Sequence, residues 1–336
     1  MTNKNISIFG GCDLNPQPGG EPFGPGKVVY NLLLGLKKLN IKHNYQQQKE
    51  GDYNILANGD SSIFHKIRPS VKTSFIGPCV ESRFGESNQY NNYLHFIAAS
   101  DWHRRFLMEC LPEKSKGKTF DAWPIGIDTD FYKPKEKKIK YDCLFHLKHG
   151  RVFDEWGIFE DLVKKFKLKT PRNRNKHLIN GQYTPKQMVD RCASCKFIIT
   201  IGCSETQGIG KMEMMSNNTP MFVLDCNSHY AFNAIQSNFP ATTVPFWSKK
   251  CGIVLHEKDF TKEYRPAKAP SCNPKSIRKK SHYPKLGRTL EIEYIYEQFN
   301  LFLKSLKSYN PREFILKKHT LEKSAKNLIK IFKKYE

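Results

Sequence analysis

The stretch that decides the fold is Lys196 to Asp225, KFIITIGCSETQGIGKMEMMSNNTPMFVLD. A short apolar run of β-type residues, Phe197–Ile201, meets a polar, glycine-containing turn, and a helix-prone segment follows from Lys211 to Ser216. Asn217-Asn218-Thr219-Pro220 stops that helix, and a second apolar run, Met221–Leu224, begins at once. Strand, loop, helix and strand in about thirty residues is the length of a parallel βαβ unit. In a parallel sheet, ligands sit beyond the carboxyl ends of the strands, where a loop meets a helix N-terminus. Glu205 falls in that loop, and Glu213 lies on the helix. Between them Gln207, Gly208, Ile209 and Gly210 offer backbone N–H groups at a helix start, which suits a phosphate. A carboxylate on the helix accepts hydrogen bonds from sugar hydroxyls, so the layout fits a nucleotide diphosphate.

Two glutamates at this spacing are common by chance, and an ordinary crossover with two solvated carboxylates would show the same pair. The whole string is more specific. It resembles the E-x7-E segment of family 4 retaining glycosyltransferases of the GT-B fold, with Glu205, Gly208, Gly210, Glu213, Met214-Met215 and Thr219-Pro220 in the family's places. Met214 stands where Ala is usual, a change in helix packing rather than in chemistry. A second stretch, Trp123-Pro-Ile-Gly126-Ile-Asp128-Thr-Asp130-Phe-Tyr-Lys-Pro134, resembles the family's domain junction, with Ile125 where Asn is usual. Asp128 and Asp130 form a D-x-D, the metal-holding motif of GT-A transferases; here Asp and Gly making a turn is the simpler reading.

Length and composition bound the rest. The 336 residues allow two domains of the usual ~100–200 residues. Apolar residues make up 39%, enough for two cores. A net charge of +23 points to anionic partners: nucleic acid, an anionic membrane face or phosphorylated substrates. The N-terminus runs straight into a strand and no apolar run is long enough to span a bilayer, so neither a signal peptide nor a transmembrane segment is expected. The ten cysteines are scattered, several within expected strands or helices, which reads as reduced and cytoplasmic. Cys192-Ala-Ser-Cys195 has no fourth ligand at matching spacing, so no metal is expected there.

Along the chain, Ile6–Phe9 reads as a strand ending in a loop rich in glycine and proline. A helix from about Lys27 to Leu39 follows, its apolar residues Val28, Val29, Leu32, Leu33 and Leu36 recurring at helical period. The loop matches neither a P-loop nor G-x-G-x-x-G. Further strands are expected at Tyr53–Leu56, Lys72–Ile76 and Leu94–Ala99, with Ser100 capping a helix from Asp101 to Cys110. This alternation implies an open parallel sheet.

A second sheet is expected to begin at Tyr141–Leu147. After it come a helix over Trp156–Phe166, a strand over Lys176–Gly181, and a helix over Gln187–Cys192 that the turn Tyr183-Thr-Pro-Lys introduces. Thr242–Trp247 and Gly252–Leu255 read as edge strands, and Pro266–Leu290 as a basic loop. Leu290–Leu306 is helical by period. Pro311 opens a final helix with an apolar stripe of Leu321, Ala325, Leu328, Ile329 and Phe332.

The resemblance implies an α/β protein of the GT-B fold, two Rossmann-like domains with a cleft between them. It would comprise an acceptor-side domain over 1–134, a nucleotide-sugar domain over 135–306, and a C-terminal helix over 307–336 crossing back to the first. It implies a retaining transfer of a sugar from a UDP- or GDP-linked donor to a glycan, protein or lipid-linked acceptor, with no metal or other cofactor. Glu205 would contact the donor sugar as the catalytic residue, and Glu213 the ribose hydroxyls. Lys148 and Arg151 would hold the diphosphate, although the family's pair stands about five residues apart rather than three. Gly24 and Gly26 belong to the loop that would face the phosphates and the acceptor. The charge alone would also suit a non-enzymatic protein binding nucleic acid or an anionic membrane. Neither a base-stacking aromatic module nor a compact basic motif accompanies it, which argues against nucleic acid. The lysines of the last helix are compatible with peripheral contact at an anionic membrane.

Overall fold

The computed structural model describes residues 4–10, 24–47, 49–58, 66–79, 90–110, 115–148, 155–179, 181–226, 228–230, 236–262 and 289–336. Of the basic loop expected over Pro266–Leu290, residues 266–288 lie outside them, and Thr289–Leu290 is not loop but a short strand paired antiparallel with Thr261–Lys262. Contacts divide the chain into two compact units, Met1–Thr129 with Leu316–Glu336, and Asp130–Ile315.

The first unit is built on six strands: β1 (Ile6–Phe9), β2 (His43–Tyr45), β3 (Tyr53–Asn58), β4 (Ser74–Cys79), β5 (His95–Ala98) and β6 (Thr119–Ala122). They run in the order β2-β1-β3-β4-β5-β6 with every neighbouring pair parallel. Ile6, Ile8, Phe9, Ile55, Leu56, Phe75 and Ile76 are buried, as expected of parallel strands covered on both faces. Helix α1 (Pro25–Lys38) starts with proline at its first position and buries Val28, Val29, Leu32 and Leu36. Helix α2 (Asp101–Cys110) follows β5, but Ser100 does not cap it: its Oγ is buried without a hydrogen-bond partner. Instead Nδ1 of His103 reaches back to accept from the Ala99 N–H at 3.1 Å.

The C-terminal segment forms two helices, not the single one expected, α7 (Pro311–Lys318) and α8 (Leu321–Lys333). The break has a local cause. Thr320 accepts from the Lys323 N–H through its side chain and so starts α8 as an N-cap. His319 meanwhile gives its carbonyl to the Ile127 N–H at 2.8 Å. Leu321, Ala325, Leu328 and Phe332 face inward, with Phe332 packed on Phe75 and Tyr53 at ring distances of 4.5 and 4.9 Å. The indole N–H of fully buried Trp123 donates to the Ser324 carbonyl at 3.0 Å. Two glycines make this seat possible. A Cβ on Gly126 would lie 2.6 Å from Leu321 Cα, and one on Gly35 would lie 2.7 Å from the Leu321 carbonyl oxygen.

The second unit carries a five-stranded parallel sheet. Its strands β7 (Tyr141–Lys148), β8 (Leu178–Ile179), β9 (Cys195–Gly202), β10 (Met221–Asp225) and β13 (Gly252–His256) stand in the order β13-β10-β9-β7-β8. The short strands β11 (Ser228–Tyr230) and β12 (Gln236–Pro240) pair antiparallel apart from it. β8 is shorter than the expected Lys176–Gly181, because Arg174–Lys176 turns as a 3-10 helix. Helices α3 (Glu155–Lys165), α4 (Pro185–Ala193), α5 (Ile209–Ser216) and α6 (Ile292–Lys304) alternate with the strands. Thr184 and Gln187 form a capping box at the start of α4. The core is aromatic: Phe145 stacks on Phe159 at 4.7 Å, and Phe299 of α6 meets Phe222 edge-on at 4.9 Å.

Adding one methyl at the Gly126 notch, Gly126→Ala, is expected to cost about 1–3 kcal/mol by overpacking. The melting temperature followed by circular dichroism should fall by several degrees, at roughly 2–4 °C per kcal/mol for a chain of this kind. A second expectation concerns acid. Burial, with Lys318 beside it, pushes the His319 imidazole down to about 4. The unfolded chain therefore takes up a proton near pH 6.5 that the folded unit does not. This contribution is neutral above pH 6.5 and becomes destabilising as pH falls from there towards about 4. Urea titrations across that window should show the slope, and His319→Gln should flatten it.

Candidate functional site

Three segments of the second unit converge at the carboxyl edge of its sheet: the end of β7, the loop after β9, and the first turn of α5. β9 is a nearly continuous apolar run, buried at every position but Lys196. α5 is buried from Lys211 to Ser216, all the way round, which explains its methionines. It ends where Asn218 takes a left-handed φ of 55° ahead of Thr219-Pro220. It begins at Gly208, also left-handed, with φ 63°. A side chain there would be strained, and its Cβ would lie 3.1 Å from Pro245 Cδ.

Glu205 is the electrostatic centre of this junction. Lys148, at the end of β7, donates to its Oε2 at 2.7 Å, and Lys211 of α5 donates to its Oε1 at 3.1 Å. Glu205 and Lys211 are 9% and 3% exposed, whereas the Lys148 side chain keeps a third of its surface in solvent. Burial alone would raise the Glu205 pKa; Lys211 and Lys148 overcome it and hold the carboxyl at about 2. It is therefore ionised at neutral pH and can only accept hydrogen bonds. His146, two residues before Lys148, pairs its Nδ1 with Thr200 Oγ1 at 2.7 Å. Burial first, then the charge of Lys211, keep that imidazole neutral.

The loop is held from behind by Asp225, the fully buried last residue of β10. Its Oδ1 accepts from the Thr243 N–H at 2.5 Å, and its Oδ2 from Thr242 Oγ1 at 2.7 Å. His256 Nδ1 lies 3.1 Å from the same Oδ2, and that hydrogen bond raises the His256 pKa. The Thr242 carbonyl in turn accepts the Glu205 N–H at 2.9 Å. Residues 242–247 are thus a clasp, not the edge strand expected; Asp225 satisfies the backbone N–H that a ladder would otherwise take.

The residues singled out by sequence fall as follows. Lys148 and Glu205 are paired; Gln207 and Gly208 are buried, and Ile209 and Gly210 open α5 with partial exposure. Glu213, 6% exposed, sits one turn further along α5. Tyr183 feels the charge of both carboxylates. Burial raises its pKa first, and the charges of Glu213 and, more weakly, Glu205 raise it further. Its hydroxyl also lies 3.8 Å from where a Gly210 Cβ would be. Gly24 and Gly26 belong to the first unit, at the start of α1, and Arg151 lies outside the described residues. Asp128 and Asp130 flank the division between the units, in the turn after Ile127. Lys211, Asp225 and His256 were not anticipated. The sequence did carry a signal for Lys211, a lone cation among the apolar residues of IGKMEMMS.

Two parallel α/β units of Rossmann type fit a GT-B fold, and the solved structures similar to this chain share it. No family model matches the chain, and no curated protein matches its sequence. Solved structures do. The lipopolysaccharide outer core galactosyltransferase WaaB, in its apo form, aligns with a TM-score of 0.52 at 11% identity, over 98% of this chain and 99% of its own. Sucrose-phosphate synthase from Thermosynechococcus elongatus aligns with a TM-score of 0.51 at 10% identity, over 98% of both chains. A chain of the GtfA/B complex is a looser likeness, with a TM-score of 0.49 at 12% identity; 92% of this chain spans 60% of that one. At such identities the likeness establishes the fold.

Removing the buried cation should unsettle the junction more than removing the half-open one. Lys211→Met is expected to destabilise the second unit by on the order of 3 kcal/mol, and Lys148→Ala by less, since Lys148 is partly solvated. In Lys211→Met the Glu205 pKa should rise. Urea unfolding and a carboxyl-resolved NMR titration measure the two effects.

Proposed function

We propose that this protein is a retaining glycosyltransferase, akin to family 4, that moves a sugar from a UDP- or GDP-linked donor to a glycan, protein or lipid-linked acceptor. The observation that carries the reading is Glu205, in the loop ahead of α5, held ionised at neutral pH between two lysines. Support also comes from the fold shared with a galactosyltransferase and a sucrose-phosphate synthase. A carboxylate that accepts but cannot donate suits the hydroxyls of a donor sugar, and Glu213 suits those of a ribose. The leaving diphosphate gains charge as the glycosidic bond breaks. In this reading the amides opening α5 and the Lys148 ammonium receive it, and preorganised positive groups stabilise such charge most where water is scarce.

The two lysines have different duties in this scheme. Lys211, fully buried, stays with Glu205 and keeps it ionised. Lys148, partly open to solvent, turns from Glu205 to the diphosphate when the donor arrives. These groups supply the positive charge that a divalent cation supplies elsewhere, so the transfer is proposed to need no metal. A cytoplasmic location is part of this proposal; separately, among the described residues no helix is long and apolar enough to cross a membrane.

A screen of nucleotide sugars for hydrolysis and thermal shift tests the reading, with stabilisation by UDP or GDP as the expected result. Glu213→Ala should weaken nucleoside diphosphate binding by roughly 1.5–3 kcal/mol, or about 10–150-fold, with the fold intact. Unchanged affinity would remove Glu213 from the site. Activity should survive EDTA; strict dependence on Mn²⁺ or Mg²⁺ would bring Asp128 and Asp130 back as ligands and end the metal-free scheme.

A further inference from the structure

The first unit carries a hollow of about 430 Å³ between the end of α7 and the outer face of α8, lined by Lys317, Lys318, Lys323, Lys326 and Lys330. No carboxylate lines it. Lys323 is already engaged, donating to the Leu316 and Lys317 carbonyls at 2.8 and 2.7 Å and so closing the end of α7. Lys317, Lys318, Lys326 and Lys330 have no ion-pair partner among the described residues. Elsewhere on the same unit Lys4 pairs with Glu336, Lys38 with Glu322 and Lys334 with Asp121, while Lys37, Lys42 and Lys72 also have no ion-pair partner among the described residues; what sets the hollow apart is that five lysines line it together. Lys326 and Lys330 stand one turn apart on a single face of α8, where like charges repel and mildly oppose the helix. Leu316, just before the first of these lysines, is 41% exposed. Unmatched cations thus converge on a concave surface beside an open apolar side chain.

We propose that this hollow docks the protein on an anionic lipid surface, with phosphate-bearing headgroups against the lysines and Leu316 dipping into the headgroup boundary. The lining chemistry selects this partner over a nucleic acid. Its one ring, the His319 imidazole, is buried and offers no face on which a base could stack, and it holds no arginine fork to grip a phosphate in two places. Lysines with an apolar neighbour suit the diffuse charge of a bilayer face. Because the apolar stripe of α8 is buried against its own unit, the helix itself does not insert, and the contact is shallow, reversible and screened by salt.

Co-sedimentation of the full chain with vesicles tests the proposal. Vesicles containing about one-third phosphatidylserine should bind at low salt and release at high salt, while phosphatidylcholine alone should not bind. Lys326→Glu with Lys330→Glu should weaken vesicle binding roughly thirtyfold or more. Lys137→Glu with Lys138→Glu, an equal charge change at exposed lysines of the second unit, should leave it within a few-fold. Leu316→Ser should weaken it with no change of charge. Melting temperatures establish that each variant is folded; should the glutamate pair melt early, Lys326→Gln with Lys330→Gln takes its place. Equal losses from both charge reversals would reduce the effect to net charge and overturn the assignment of this surface. So would absence of binding to anionic vesicles, or a Lys326/Lys330 variant that loses single-stranded RNA binding while keeping vesicles.

Discussion

An ionised carboxylate removed from water must be matched by positive charge at hydrogen-bond distance, or it will protonate or drive the chain open. Glu205 meets that condition with two ammonium groups drawn from different elements, one ending β7 and one within α5. The consequences spread outward from it. β7 must lie beside β9 in the register that sets Lys148 against Gly202, and α5 must be wound tightly enough to bring Lys211 back under the loop. The loop must also leave its N–H to Thr242, which in turn needs Asp225 behind it. Three strands and a helix are thus fixed by the demands of one buried charge. The lysines that neutralise it also leave α5 with its amide-rich start directed at the same edge of the sheet.

Much of this could be read from residue pattern. The apolar runs Phe197–Ile201 and Met221–Leu224, separated by a glycine turn and stopped by Asn-Asn-Thr-Pro, carry both the strands and the helix between them. Local chemistry alone determines each boundary there. The parallel α/β sheets were legible for the same reason, since strands buried on both faces read as apolar runs, whereas the GT-B fold was implied by the resemblance to family 4 glycosyltransferases. What escaped notice depends on distant residues meeting. Nothing near Thr242 says that its carbonyl will be taken by Glu205 or its hydroxyl by Asp225, so the segment passes for a β-type run. Lys211 reads as one more cation in a basic chain until its burial is known. The final helix misled in a third way. Its period continues smoothly through His319, and the break comes from a carbonyl drawn away by Ile127, almost two hundred residues earlier.

Both units are built on aromatic cores, with a different emphasis in each. The second relies on a cluster of phenylalanines from β7, β9, β10, α3 and α6, a core whose rings interlock edge to face. The first has a ringed core as well, with Phe9, Tyr90, Tyr93 and Phe96, and adds the close approach of α8 to Gly35 and Gly126, where a Cβ does not fit. Aromatic cores tolerate small shifts because rings can tilt. A notch cut for a backbone does not, so the seat of α8 is the less forgiving of the two.

That seat has a consequence for how the chain is made. The first unit is discontinuous: its sheet comes from residues up to Thr129, and the helix that covers Tyr53 and Phe75 comes from Leu316–Glu336, beyond the inner unit. On the ribosome the usual order, amino-terminal domain first, is therefore reversed. The inner unit, contiguous from Asp130 to Ile315, has all its parts while the outer sheet still waits with Phe75 uncovered. For as long as the inner unit takes to be synthesised, the nascent chain presents an apolar surface that the segment Leu316–Glu336 later covers. Chaperone demand during translation, rather than the stability of the finished protein, is where this architecture is most exposed.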